Sequence, residues 1–340
     1  MSHINIPIFI PHLGCPNQCI FCNQRYISGK ECFDKSKVEN IINDVLSTTN
    51  SSDICEIAFF GGSFTGIDKT LMIELLDLAQ KYVDAGKVHG IRMSTRPDYI
   101  SSEIINILKK YTISVVELGI QSMNDNILRY LKRGHSANDT KKAAELLNKA
   151  NIPFIGQMMI GLPKASELDE LNCAKLICDL GAAGARIYPT LVFKMTELEE
   201  LTLKNEYTPL SAEEAIERCV RVLKVFQKHN VPCIRIGLCD SENLHSEDTF
   251  VAGPNTPPMG EMVKSRLYYD LICERYEQNR FDNIIIECAK GKTSQVIGHK
   301  KENLQKISKK YKINSIKVIE NINLSNFEIN IKNKEEIKCV

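Results

Sequence analysis

Short apolar runs rich in β-branched residues alternate along the chain with longer stretches whose apolar residues recur every three to four positions, the periods of strands and helices. "NIPIFIPHL" (5–13) reads as a first strand and "KVENIINDVLSTT" (37–49) as a helix. "ICEIAFFGGSF" (54–64) is a strand running into a glycine turn, and "TLMIELLDLAQKYVDAG" (70–86) a helix stopped at Gly86. The pattern repeats through the strand "GIRMSTRPD", the helix "SEIINILKKY", the strand "ISVVELGIQS" and the helix "ANDTKKAAELLNKAN". It ends with the strand "IPFIGQMMIGLP", the helix "LDELNCAKLICDLG" and a sixth strand, "GARIYPTLVF". Alternation at this spacing predicts parallel strands joined by helical crossovers, as an open doubly wound sheet or a barrel. In either case the ligand site lies at the C-terminal ends of the strands.

A helix at 211–230, a further strand "VPCIRIGLC" and a helix at 260–276 follow. The last unit reads as the strand "NIIIECA", the basic loop "KGKTSQVIGHKK", the helix "ENLQKISKKY" and the strands "SIKVIE" and "NFEINI". We expect a core at 1–200, an extension at 201–279 and a small α+β domain at 280–340. Charge sharpens this division. The formal net charge of +1 hides +6 from Arg280 onward (13 basic against 7 acidic residues), which leaves −5 for the rest. A basic module on a slightly acidic body points to an anionic partner, nucleic acid first. No apolar run approaches the ~18 residues that cross a bilayer. The N-terminal residues lack the pattern of a signal peptide. A cytoplasmic protein with no membrane partner is expected.

The chemistry concentrates in "GCPNQCIFCN" (14–23). Most of the thirteen cysteines are scattered; Cys15, Cys19 and Cys22 are clustered on a loop after the first strand. Structural zinc takes four ligands, and here His12 is the available fourth. Three thiolates alone suit a 4Fe–4S cluster with one iron left open to a ligand. At the other strand ends stand Gly61-Gly62-Ser63, Ser94-Thr95-Arg96, Gln121-Ser122 and Gly161-Leu162-Pro163. Glu117 lies mid-strand, where a carboxylate points into a barrel or is neutralised by a basic partner such as Arg96 or Arg186. His135 is a candidate proton carrier, and Cys233 with Cys239 raises the question of a second cluster.

The loop resembles the Cys-x-x-x-Cys-x-aromatic-Cys signature of the radical S-adenosylmethionine (SAM) superfamily, with Phe21 in the aromatic place. That resemblance implies an α/β fold, a partial (β/α)6 barrel, and a 4Fe–4S cluster on Cys15, Cys19 and Cys22. It implies SAM chelated to the fourth iron and cleaved to a 5′-deoxyadenosyl radical by an electron from a donor such as flavodoxin or ferredoxin. Gly61, Gly62 and Ser63 match the turn that meets the methionine amino group. Ser94, Arg96, Gln121 and Ser122 fall where ribose and carboxylate contacts are expected, and Gly161 falls near the adenine.

"STRPDY", "VELGIQSMNDNILRYLKRGHS", "RIYPTLVFKMTELEEL" and "VAGPNTPPMGEMVKSRLYYDL" are similar to the radical domain of Elongator catalytic subunits, over about residues 5–275. Such proteins modify wobble uridine in tRNA with a second, acetyltransferase domain. The 60 residues after 280 are too few for that domain. "VIGHKKENLQKI" instead resembles the loop and helix of a KH domain, with Lys301 replacing the second glycine of Gly-x-x-Gly. Lys292, Lys300, Lys301 and Lys306 are candidate phosphate contacts. The expected substrate is tRNA or a tRNA-derived nucleobase. The alternatives are a lyase acting on free queuine, and a cluster- or metal-containing RNA-binding protein without activity.

Overall fold

In the computed structural model the described residues are all but 1, 2, 12, 16–18, 24, 25, 27–32, 51, 239–245, 257, 279 and 336–340. His12 and Cys239 therefore lie outside the described residues.

The chain divides into two units, Met1–Ser211 with Val225–Asn255, and Ala212–Lys224 with Thr256–Val340. The first unit follows the alternating pattern. Its elements are β1 (His3–Phe9), α1 (Val38–Ser47), β2 (Ile54–Phe60), α2 (Lys69–Asp84), β3 (Gly90–Thr95) and α3 (Ser102–Leu108). They continue through β4 (Ile113–Gln121), α4 (Asp125–Tyr130), α5 (Ala137–Lys149), β5 (Phe154–Ile160), α6 (Glu167–Asp179), β6 (Gly184–Pro189), β7 (Val192–Phe193) and α7 (Glu197–Leu203). After α8 (Ala212–Lys228), which up to Lys224 belongs to the second unit, come β8 (Cys233–Ile236) and β9 (Phe250–Ala252).

Among the described residues, seven strands form one parallel sheet in the order β1-β2-β3-β4-β5-β6-β8, curled into a half-barrel. The strand read at 231–239 is thus the seventh of the barrel sheet, pairing with β6. Helix starts follow local chemistry. Ser136 and Asp139 form a reciprocal capping box on α5, and Ser166 and Asp169 do the same on α6.

Alternation along the strands separates two faces. Outward residues such as Phe154, Met158 and Ile160 are buried, and α6 packs on β5, bringing Ile177 against Gly156. The inward face is charged. Glu56 accepts from Arg92 Nε at 3.0 Å, Arg92 Nη1 donates to Glu117 at 3.0 Å, and Glu117 also accepts from Gln157 (2.7 Å) and Arg186 Nη2 (2.6 Å). This ladder crosses β2 to β6 and neutralises Glu117, which is 1% exposed. Arg186 is the expected partner; Arg92, not Arg96, is the other, because Arg96 is taken by Asp98.

Three local readings change. "GARIYPTLVF" is two strands. β6 ends at Pro189, Thr190 bonds back to the Ile160 carbonyl, and β7 leaves the barrel sheet to pair antiparallel with β9. The proline supplies no N–H to extend the ladder. The segment 205–214, which reads as solvated linker, carries Tyr207, whose hydroxyl donates to the Gly161 carbonyl at 2.7 Å. α4 is an additional short helix between β4 and α5.

The second unit holds α9 (Met259–Gln278), β10 (Asn283–Cys288), α10 (Thr293–Ile297), α11 (Glu302–Tyr311), β11 (Ser315–Glu320) and β12 (Ile329–Asn333). The sheet order is β11-β10-β12, with β10 parallel to β11 and antiparallel to β12. Its core gathers Tyr268, Ile272, Ile284, Ile286, Val296 and Ile307. The stretch expected as one basic loop thus contains α10. Among the described residues, no helix is long and apolar enough to cross a membrane.

Candidate active site

The site is built where the loop after β1 meets the turn after β2, with backbone against backbone. A Cβ on Gly62 would lie 2.5 Å from the Leu13 carbonyl oxygen and 2.6 Å from that of Ile10. One on Gly14, whose φ is +72°, would lie 2.3 Å from the Ser63 carbonyl oxygen. Only glycine permits this approach, and it brings the Cys15 sulfur to 3.4 Å from the Ser63 hydroxyl. Ser63 is buried, and its N–H donates to the Leu13 carbonyl at 3.3 Å.

The far half of the loop is fastened elsewhere. Ile20 donates to the Leu131 carbonyl (3.2 Å) at the end of α4, and accepts from the Leu198 N–H (2.8 Å) of α7. Cys22 N–H donates to the Cys19 carbonyl at 3.0 Å. Cys19, Ile20 and Phe21 are buried together with Ile127, Leu131, Met159 and Leu162. The aromatic place is thus filled by a core side chain packed in the same cluster as Cys19. Cys15 and Cys22 are half-buried. Among the described residues, no group of three or more His, Cys, Asp or Glu side chains is gathered in a form that would hold a metal ion.

Two arginines and a histidine are buried within electrostatic reach of one another. Arg96, 2% exposed, spends Nε (2.9 Å) and Nη2 (2.7 Å) on Asp98, so its fork is already occupied; Nη1 is buried without a partner. Burial works against its charge, but Asp98 and, more weakly, Cys19 and Tyr99 hold it, and its pKa lies above the ordinary value. Arg133 donates to the Gly119 carbonyl and reaches the Cys19 sulfur at 3.5 Å. His135 is coupled to both arginines by charge. Its Nε2 contacts the Ile120 carbonyl at 3.3 Å, which makes Nε2 the protonated nitrogen and Nδ1 a buried acceptor without a partner. Burial first, then the charges of Arg133 and Arg96, push its pKa down to about 3, so the ring is neutral.

Gln121 closes β4 at φ 64°, where the register shifts, and its Oε1 is buried without a partner. The buried Ser122 hydroxyl accepts from Asn124 N–H at 3.2 Å. Ser94 is half-buried beside Glu117 in the β3–β4 register. Gly161 is committed to the fold: its N–H donates to Glu170 at 2.7 Å and its carbonyl accepts from Tyr207. Lys300, Lys301 and Lys306 are exposed, Lys292 half-buried, all in the second unit. Two residues escape the sequence reading as site components. Gly14 carried a signal as the glycine just before the first cysteine. Arg133 carried none beyond its place in "LKRGH".

Comparison with known proteins is consistent with this geometry. The chain matches the Radical SAM superfamily model over residues 9–177 and the Radical SAM C-terminal domain model over residues 182–269. An uncharacterized protein of Methanocaldococcus jannaschii is 32% identical over 223 residues, 62% of this chain and 68% of that protein. A tRNA uridine(34) acetyltransferase of Methanocaldococcus infernus is 38% identical over 147 residues, 42% of this chain but 28% of its own length. Among solved structures, the archaeal Methanocaldococcus infernus Elp3 with an N-terminal deletion superposes with a TM-score of 0.62 at 23% identity, covering 82% of this chain and 68% of that one. The likeness to the radical domain of Elongator therefore extends to the fold. With the cysteine loop and the strand ends inside the first matched region and β8 inside the second, the chain belongs to the radical SAM superfamily.

Proposed function

We propose that this radical SAM enzyme modifies tRNA at a wobble-type uridine, with Cys15, Cys19 and Cys22 as its cluster ligands. Membership of the superfamily carries a 4Fe–4S cluster and SAM as cofactors. When bound, they supply reductive cleavage of SAM at the cluster's open iron. The donor set fits: three soft thiols on one short loop suit iron–sulfur ligation. The orphaned polar atoms around them, Arg96 Nη1, Gln121 Oε1 and His135 Nδ1, suit a polar ligand lying across the strand ends.

In this reading the Gly61-Gly62-Ser63 turn presents backbone to the methionine amino group. Arg96 offers one N–H to an anionic group, with Asp98 holding its plane. Ser94, Gln121 and Ser122 face the ribose, and Gly161 shapes the wall near the adenine. His135 accepts a hydrogen bond at Nδ1 and, being neutral, adds no charge there. Phe21 and its neighbours keep water from the thiols. A small one-electron donor protein of the flavodoxin or ferredoxin class supplies the electron. The KH-like module, residues 280–340, contacts RNA phosphates through Lys292, Lys300, Lys301 and Lys306.

The observation that supports tRNA as substrate is the 38% identity to a tRNA uridine(34) acetyltransferase. The test is anaerobic reconstitution with iron and sulfide, then 5′-deoxyadenosine release from SAM with and without bulk tRNA. Release stimulated by tRNA, with a modified uridine recovered from the digested tRNA, is the expected outcome. Release indifferent to tRNA overturns the substrate and moves the search to free nucleobases such as queuine. Cys19→Ala is expected to abolish release; if it does not, the ligand assignment is wrong.

A further inference from the structure

We infer that Arg133 is the counterion of the Cys19 thiolate and sets the reduction potential of the cluster that Cys19 holds. The inference rests on Cys19 being a cluster ligand.

The chain goes out of its way to bury this side chain. Arg133 follows α4 between two residues in the left-handed region, Lys132 (φ 54°) and Gly134 (φ 78°), and its own N–H closes on the Leu128 carbonyl at 3.0 Å. A lysine at positive φ is disfavoured; the tight turn it makes sends Arg133 inward, where it is 9% exposed. β4 is cut away to receive it. A Cβ on Gly119 would stand 2.6 Å from Arg133 Nη2, and that nitrogen donates to the Gly119 carbonyl at 2.8 Å.

The other buried arginines, and the half-buried Arg92, have carboxylates: Arg92 has Glu56 and Glu117, Arg96 has Asp98, and Arg186 has Glu117. Arg133 has no ion-pair partner among the described residues, and its Nε is buried with no hydrogen bond. A guanidinium does not shed its proton, so a buried one needs an anion. The group within its reach that can become anionic is the Cys19 sulfur, 3.5 Å from Nη1. Hydrogen bonds and positive charge at a cluster's sulfurs favour its reduced, more negative form, which raises the potential. Arg133 thereby eases entry of the electron, and it does so through Cys19, as a positioning residue.

The experiment compares wild type, R133Q, R133K and G119A as full chains, reconstituted anaerobically. Iron and sulfide per chain are counted, and the midpoint is read by electron paramagnetic resonance during titration with dithionite, the electron source. R133Q is expected to hold its cluster but to be reduced at least tenfold less favourably, a fall of about 59 mV for one electron. R133K is expected to recover at least half of that fall. G119A, which keeps the charge but displaces the guanidinium, is expected to fall between. An unchanged midpoint in cluster-loaded R133Q overturns the inference, as does a loss of SAM affinity alone. If R133Q loads no iron, R133K and G119A decide, and wild-type midpoints in both overturn it. Equal iron in wild type and Cys19→Ala would instead sink the ligand assignment, and the inference with it.

Discussion

At His135 the surroundings, not the side chain, choose the protonation state. Its folded pKa of about 3 lies below the ~6.5 of an unfolded histidine. Above pH 6.5 the ring is neutral in both states and the stabilisation is fully present. As pH falls below 6.5 the unfolded chain takes up a proton that the folded chain refuses. Stability then drops by up to ~1.4 kcal/mol per pH unit, levelling off near pH 3. His135→Gln removes that slope. Denaturant midpoints of wild type and variant should converge as pH falls from 7 to 5; parallel curves would show that the ring already titrates normally. A second residue-scale prediction concerns Gly62. Alanine there meets two carbonyl oxygens within 2.6 Å that belong to the cysteine loop. Overpacking of this kind costs about 1–3 kcal/mol. Because the strain falls on the loop, Gly62→Ala should lower iron loading more steeply than it lowers the thermal midpoint.

Single elements show why some features could be read early. The capping boxes of α5 and α6 use serines and aspartates three apart, so the starts of both helices are written locally. The Lys292–Tyr311 stretch is different. Asn303, 3% exposed, brings its Nδ2 within hydrogen-bond distance of the carbonyls of Gln295 and Val296 (3.3 and 3.2 Å) and of Ser265 of α9 (3.0 Å), acceptors that share its two N–H groups. It ties α10 to α11 across Gly298-His299-Lys300-Lys301, where Lys300 and Lys301 sit at φ 48° and 65°. Asn303→Ala leaves buried carbonyls unsatisfied, at a cost of about 1–3 kcal/mol. Amide hydrogen exchange should speed up across α10 and α11. Iron loading should stay at the wild-type level, since these contacts all lie in the second unit. Unchanged exchange would mean that the loop is held by other contacts.

Across the whole molecule the charge is uneven, +6 from Arg280 onward against −5 before it. Replacing Lys300 and Lys301 with Glu should weaken tRNA binding and reduce the slope of log affinity against log salt by about 1.4, at ~0.7 per phosphate contact on single strands. A slope equal to wild type would remove this loop from the RNA interface.

The sequence by itself determined the strand–helix alternation, the loop that carries Cys15, Cys19 and Cys22, and the glycine turn at 61–62. Each depends on neighbours within a few residues: apolar period, turn chemistry, ligand spacing. Most of the half-barrel and the cysteine loop were therefore legible. Tertiary structure alone decided which groups meet. Glu117 pairs with Arg92 and Arg186 because three strands place them on one face. β7 parts from β6 because β9, nearly sixty residues on, is there to pair with it. Arg133 reaches Cys19 from 114 positions away. Local pattern encodes the backbone's hydrogen bonding and which face is buried, whereas a buried charge finds its partner only after the strands have paired, and that partner can come from anywhere in the chain.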